Sequence, residues 1–520
     1  MRVVSIPEGG MRMYEQTMTR IKDTVQGTMQ SVSSTPTLGT SGPEMKTRKY
    51  KIEDPKVISD ISKVVSPSEA GISAKEADYP PEMQNFVKAT NRGLTLDGQP
   101  FFITGFNNYY LVTRAAWLGE GRNMTDEVFE SARNLGSNTL RIWGFVDGDN
   151  WNALQPEAGV IDEKMFSNGL DYVVANAQKY GIRLIVSFTN YWDAYGGMLQ
   201  YVKWANKTSI ADFYTDPQIK SMFKDYIYYV INRKNTVDGV LYKNNPAILG
   251  WEIANEPRDP GVPGSPALQA WIEEIAGYVK KLDSNHLVMV GSEGFFGPST
   301  ASKSRLSANP YTQVFAPISK RPYHYDAVCE GADFEANNKP NSIDIAVIHA
   351  YPDHWAACDD DCKTNFAKRW IRHHLEAAAE LGRPLLIGEF NALKPVARRN
   401  SFIQLVHTEL VSAAKKGYPV AGSLAWMLTG SSYPDYDGFS IYHNNETAAH
   451  LPRPPWNMPD TEREVERASH YKLKEMLECM AKRAEEYVSD EGLHLNDGWE
   501  DTSKIISDHV QELNKVTEVA

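Results

Sequence analysis

Apolar residues along this chain gather in eight short runs, at 101–106, 139–145, 183–189, 248–254, 287–291, 345–349, 384–389 and 423–428. Each is of strand length and nearly continuous rather than alternating. That is the pattern of a parallel strand covered on both faces. The segments between them carry helix punctuation. Asp216-Pro217 reads as an N-cap and first helical residue, opening a helix towards Asn235. Ser265-Pro266 does the same for a helix closing at Lys280-Lys281, where cations suit the helix C-terminus. Asp126-Glu127 open another that ends near Gly136, and residues 166–180, 363–381, 401–416 and 463–484 show helical periodicity. Strand and helix alternating eight times predict an α/β fold, a (β/α)8 barrel. The Pro-, Asn- and Ser-rich stretch 294–342 gives no readable fifth helix.

Composition adds boundaries. The chain has 520 residues, 42% hydrophobic and 23% charged, which is the make-up of a folded enzyme with room for extensions. The stretch 31–43 is rich in Ser, Thr, Gly and Pro and would bury no core. Residues 1–85 therefore read as a poorly ordered N-terminal extension, 86–485 as the folded catalytic body, and 486–520 as an acidic C-terminal tail. Net charge is −12, of which −8 lies between Glu485 and Ala520, with ten acidic residues against two Lys. With no basic stripe to neutralise phosphates, a nucleic-acid partner is not expected. No apolar window is long enough for a membrane-spanning helix, and residues 1–30 contain no apolar core of a secretory signal. Four cysteines, Cys329, Cys358, Cys362 and Cys479, suit one or two disulfides or free thiols rather than a metal site. Asn-x-Thr sequons stand at Asn123, Asn206 and Asn445.

In such barrels the reacting groups sit at the C-terminal ends of the strands. The fourth run ends in Ile253-Ala-Asn-Glu-Pro-Arg258 and the seventh in Ile387-Gly-Glu-Phe-Asn391. Each delivers one carboxylate, Glu256 and Glu389, to the mouth. A carboxylate at the end of a buried strand is costly unless paired or used. Two on one rim can cleave a glycosidic bond, one protonated to assist the leaving oxygen and one ionised to attack. Trp143, Tyr191, Trp192, Tyr351, Trp355 and Trp426 lie at or just past strand ends, where aromatic faces could pack on sugar rings. His349-x4-His354 follows a strand and contains Pro352, so it is no zinc helix. G-x-S-x-G, G-x-G-x-x-G and P-loop patterns are missing, so neither a serine nucleophile nor a nucleotide cofactor is expected.

From about residue 90 to 476 the chain resembles the endo-β-1,4-mannanases of glycoside hydrolase family 5, of plant and fungal type. The resemblance rests on Leu140-Arg-Ile-Trp-Gly-Phe145, Asp193-Ala-Tyr-Gly-Gly-Met-Leu-Gln-Tyr-Val-Lys-Trp204, Ala211-Asp-Phe-Tyr-Thr215, Trp251-Glu-Ile-Ala-Asn-Glu-Pro-Arg258, Gly294-Phe-Phe-Gly297, Gly331-Ala-Asp-Phe334, His349-Ala-Tyr-Pro-Asp-His-Trp355 and Gly388-Glu-Phe390. It implies a retaining enzyme acting on β-mannan polysaccharide or oligosaccharide, outside the cell; the sequence itself offers no sign of a metal or cofactor, and a monomer is the default expectation. It makes Glu256 the acid/base and Glu389 the nucleophile. Arg141 and Tyr351 are expected beside Glu389, Asn255 on the 2-hydroxyl of the reacting sugar, His349 on the acid/base side, and Trp426 as the floor. Trp143, Trp355 and Arg258 are the remaining expected substrate-binding residues, Arg258 on the leaving-group side. The terminal extensions, and Asn107-Asn-Tyr-Tyr110 where the family often has a Trp, depart from that pattern. The mechanism leads to the expectation that Glu256 is raised in pKa and Glu389 is ionised. Another β-1,4-glycan hydrolase, a glucanase or exo-β-glycosidase, and a catalytically inactive carbohydrate-binding barrel remain the alternatives.

Overall fold

The fold comes from a computed structural model of the chain. It describes residues 83–310, 326–356 and 358–443, with short pieces at 49–51, 80, 313–315, 322–324 and parts of 472–483. Eight parallel strands form one sheet: β1 (Ile103–Asn108), β2 (Thr139–Trp143), β3 (Arg183–Ser187), β4 (Ile248–Asn255), β5 (Leu287–Gly291), β6 (Ala346–Ala350), β7 (Leu385–Phe390) and β8 (Val420–Ala425). Their order follows the chain, with β8 paired to β1 and a parallel bridge from Met289 to Ile345 joining β5 to β6. The sheet is thus a closed (β/α)8 barrel. Strands β2 to β7 are buried at every position, because helices cover one face and the barrel interior the other.

The N-terminal end of the barrel is plugged. A small antiparallel sheet of Lys88–Thr90, Gly93–Leu96 and Gln99–Phe101 lays Leu94 against Ile185, Leu249, Leu287, Val347 and Leu386 in one apolar cluster. Among the described residues, the opposite end is the one left open for chemistry.

Helix ends follow local chemistry. Asp216 accepts from the amides of Gln218 and Ile219 and starts Pro217–Ile231; Ser265 accepts from Leu268 and starts Pro266–Leu282. Several boundaries differ from the sequence pattern; the helices expected at 363–381 and 401–416 begin earlier, as Asp360–Leu381 and Val396–Lys415. The helix assigned to Asp126-Glu127 begins earlier, as Gly119–Asn134. The segment 166–180 is two helices, Glu163–Asn168 and Leu170–Tyr180, broken at Gly169, where a Cβ would strike the carbonyls of Met165 and Val112. The last strand begins at Val420, not 423. Gly422, at φ +138°, lies against the Ile103 backbone where no Cβ fits, and that glycine interrupts the apolar run.

Among the described residues of 294–342 the helices are single turns, Lys303–Leu306 and Phe334–Asn337, so the missing fifth helix is real there. Of the expected helix at 463–484, residues 475–476, 478–480 and 482–483 are helical, Lys472 is in a turn with φ +54°, and the rest lies outside the described residues. So do the acidic tail and most of the N-terminal extension, within which Lys49–Lys51 pairs antiparallel with Val160–Asp162. All four cysteines are paired, Cys329 with Cys479 and Cys358 with Cys362. No helix among the described residues is long and apolar enough to cross a membrane.

Candidate active site

Strand β4 ends at Asn255, and the next residue, Glu256, turns out of the strand with φ +46°. A left-handed conformation is unfavourable for a residue with a Cβ. It is held here by the Glu256 amide donating to the Gly291 carbonyl of β5 at 2.7 Å. Glu389 lies within β7, in register with His349 of β6. The two carboxylates meet at the open end. One oxygen of each, together with Nδ1 of His349, lie within 4.8 Å of one another. Neither is sealed off: the side chains are 12% and 6% exposed.

Arg141, on β2, organises the Glu389 side. Its Nη1 donates to Glu389 Oε1 at 2.6 Å and to Asn107 Oδ1 at 2.9 Å. Its Nη2 donates to Asn255 Oδ1 at 2.5 Å and Glu252 Oε1 at 2.7 Å, and Nε to Glu252 Oε2 at 2.8 Å. Glu252 is fully buried inside the barrel and lies across from Gly291, where a Cβ would come within 2.5 Å of the carboxylate. The other oxygen of Glu389 accepts from the Tyr351 hydroxyl at 2.7 Å. Asn255 Nδ2 donates to Asn190 Oδ1 at 2.9 Å, which fixes its amide.

Glu256 has its own partners. Its Oε1 shares a hydrogen bond of 2.6 Å with His349 Nδ1, and its Oε2 accepts from Trp192 Nε1 at 2.6 Å. The Arg258 guanidinium stacks 5.0 Å from the Trp192 ring and 5.4 Å from Phe295, and pairs with Glu293 and Glu330.

Similarity to other proteins agrees with this geometry. A family profile described as GH family 5 beta-mannosidase-like matches residues 84–310. A mannan endo-1,4-beta-mannosidase 2 of Oryza sativa subsp. japonica is 39% identical over 372 residues, 68% of this chain and 80% of the relative. A mannan endo-1,4-beta-mannosidase 1 of Solanum lycopersicum is 38% identical over 365 residues, 68% of this chain and 87% of the relative. The solved structure of an endo-1,4-beta-D-mannanase from Thermotoga petrophila shares 32% identity at a TM-score of 0.56, covering 72% of this chain and all of that one. The chain belongs to glycoside hydrolase family 5.

In this family 5 hydrolase the protonation pattern differs from the sequence expectation. Burial works to raise the Glu256 carboxyl, but the hydrogen bond and charge of His349 outweigh it and hold the carboxyl down at about 2. Burial likewise works against the His349 cation, and is outweighed by Glu389 and Glu256, so His349 is raised. Burial raises Glu389 above the usual carboxylate range despite the opposing charges of His349 and Arg141. The two directions, Glu256 lowered and His349 raised, favour a carboxylate and an imidazolium facing each other across the 2.6 Å hydrogen bond. Tyr351 is raised by burial and by the Glu389 charge, so it stays protonated and donates.

Glu256, His349 and Glu389 are close enough together to face one cation. Each of their inward atoms already holds a hydrogen bond to protein, so a metal would have to displace His349 from Glu256 or Tyr351 from Glu389.

Of the other expected site residues, Trp426 lies just beyond β8, stacks on Tyr109 at 5.8 Å, and donates to Asp437 Oδ2 at 2.8 Å. Trp143 ends β2 and packs against Tyr109 and Phe145, with its ring nitrogen buried and unpartnered. Trp355 sits elsewhere. It is 9% exposed and packs among Phe295, Trp370 and Tyr351, in the core that backs Tyr351. Glu252, Glu293, Asn107 and Asn190 were given no role by sequence. Glu252 had a visible signal, as the lone anion inside an otherwise apolar buried strand. Burial, aided by the Glu256 charge, pushes Glu293 up to about 8 against the pull of Arg258.

Proposed function

We propose that this enzyme is a retaining endo-β-1,4-mannanase, hydrolysing internal β-1,4-mannosidic bonds in mannan, glucomannan or galactomannan. The carrying observation is the approach of Glu256 and Glu389 to within 4.8 Å across one cleft, each held by different partners. Retaining enzymes set their two carboxyl groups about 5–5.5 Å apart, whereas inverting enzymes leave about 6.5–9.5 Å for a water.

Glu389, aimed by Arg141 and Tyr351, attacks the anomeric carbon. Glu256, supplied with its proton by His349 along their hydrogen bond, protonates the departing oxygen and is left as a carboxylate. Water, deprotonated by Glu256, then releases the sugar from Glu389. Asn255 holds the 2-hydroxyl of the reacting ring, where contact strengthens in the transition state. Trp426 forms the floor beneath that ring. Trp192 and Arg258 border the leaving-group side, since they touch Glu256 or its partner ring.

An internal cut needs room on both sides. Across the mouth from Arg258 a cleft of about 820 Å³ continues past Trp143 and Trp426. Residues 86–485 are the catalytic domain in this reading, and one chain supplies every group named. The paired cysteines suit an oxidising, extracellular setting. The mannan endo-1,4-beta-mannosidase names of the relatives support the substrate. Reducing-end release from mannan, glucomannan and cellulose tests it. Mannan cleaved into short oligomers is the expected result; release from cellulose alone, or of mannose alone, would reject it.

A further inference from the structure

Trp426 follows β8 and opens a loop that returns to the barrel at Phe439. One side chain clasps both ends of it. Asn391, two residues past Glu389 and fully buried, donates Nδ2 to the Trp426 carbonyl and, at 2.8 Å, to the Phe439 carbonyl. Within the loop, Asp435 Oδ1 accepts from the amides of Gly438 at 2.9 Å and Ser440 at 3.2 Å, and its Oδ2 pairs with Lys394 at 3.1 Å. Gly438 takes φ +84°, a turn that a side chain would strain. The backbone around Asp437 is thereby fixed. Asp437 divides its carboxylate in two: Oδ1 accepts from the Phe439 amide at 2.9 Å, and Oδ2 from Trp426 Nε1 at 2.8 Å. No step at Glu256 or Glu389 uses this carboxylate.

The indole gains from such a partner. Trp426 lies on Tyr109 with 13° between the ring planes and 5.8 Å between centroids. Stacking sets the tilt of an indole but lets it slide and turn in its own plane. The N–H supplies the direction that stacking lacks, and a charged acceptor strengthens it. We propose that Asp437 is a positioning residue that fixes the Trp426 indole beneath the reacting sugar, with Asp435, Lys394 and Asn391 holding the carboxylate where it can do so. The inference rests on the reading of Trp426 as the floor of the reacting ring. A floor held in one orientation can match the distorted ring of the transition state, so the benefit falls on turnover more than on binding.

A double-mutant cycle tests it, because Phe at 426 has no N–H to hold. Asp437→Ala, Trp426→Phe and the double variant are compared with the full-length enzyme on manno-hexaose. The expected result is that Asp437→Ala lowers kcat/KM about fivefold, the size of one net hydrogen bond, chiefly through kcat. Made on Trp426→Phe, the same substitution changes it by less than about twofold. Should Asp437→Ala fail to fold, Asp437→Asn, which offers one acceptor oxygen to two donors, gives the same comparison with a smaller drop. Unchanged kinetics in the single Asp437 variant overturn the proposal. So does a fall that persists at full size on Trp426→Phe, which would place Asp437 on the sugar itself or in the fold of the loop. Wild-type protein that cleaves cello-oligosaccharides and not manno-oligosaccharides overturns the mannanase reading alone; the same four proteins on the cello-oligosaccharide then decide the part played by Asp437.

Discussion

Arg141 and Glu252 face each other inside the barrel as a two-pronged pair, at 2.8 and 2.7 Å, and neither is exposed by more than 1%. The same guanidinium reaches Glu389 at 2.6 Å, so its charge is divided between a carboxylate that reacts and one that does not. Neutralising Glu252 has two consequences of known sign. Glu252→Gln leaves Arg141 buried with less compensation, and stability falls by about 3 kcal/mol. The undivided cation then acts on Glu389 and lowers its pKa, so the acid limb of the activity profile moves to lower pH. Denaturant unfolding and a kcat/KM profile measure both. An acid limb that stays in place would show that Glu252 does not tune Glu389.

The charge pattern gives the wild-type profile a bell shape. Glu389 must be ionised to attack, and it sits above the usual carboxylate value of 4.5, so activity is lost as pH falls through that raised value. The Glu256–His349 pair must keep its proton, and His349 sits above its usual 6.5, so activity is lost as pH rises through that value. His349→Asn removes the cation that opposes the burial of Glu389. The acid limb then moves to higher pH, opposite to the Glu252 variant, and turnover falls about 10²-fold with the lost proton relay. Profiles of kcat/KM for the two variants, side by side, decide the matter; shifts in the same direction contradict this account.

Glu389→Ala removes the attacking group, and turnover drops by about 10⁴-fold or more, as for other covalent nucleophiles. Azide restores cleavage in that variant and yields an inverted glycosyl azide, detectable by NMR. If the inverted azide comes from Glu256→Ala instead, and Glu389→Ala yields only the retained one, the two roles are exchanged.

The two disulfides should differ in weight. Cys329–Cys479 closes a loop 150 residues long, and Cys358–Cys362 one of only 4. Constraint of the unfolded chain grows with loop length, to roughly 5 kcal/mol for the long loop against about 2 kcal/mol for the short one. Calorimetry of Cys479→Ser and Cys358→Ser variants is expected to show the larger drop in Tm for the first. Equal drops would place the stabilisation in local packing.

Much of this architecture can be read from the chain because parallel strands covered on both faces leave unbroken apolar runs, and the residue following such a run is at the mouth. Glu256 and Glu389 are found that way. Arg141 was found through the family motif; in physical terms it stands out as a lone cation within the buried strand β2. Its bond to Glu252 is another matter: β3 lies between β2 and β4, and a sequence carries no register across an intervening strand. Trp355 shows the same limit. Position past a strand end places an aromatic near the rim, but whether it faces the cleft or the core depends on neighbours such as Phe295 and Trp370 from distant segments. The pairing of Glu256 with His349 was also hidden, because it turns on a 2.6 Å contact between β6 and the residue after β4.

Gly291 has no side chain, and the space it leaves is taken by the Glu252 carboxylate. A single methyl at that position would push Glu252, Glu252 would drag Arg141, and Arg141 would loosen its grip on Glu389. A site 291 that never meets a sugar thus governs the electrical condition of the one atom that must, and Gly291→Ala would be felt as lost chemistry well before it was felt as lost structure.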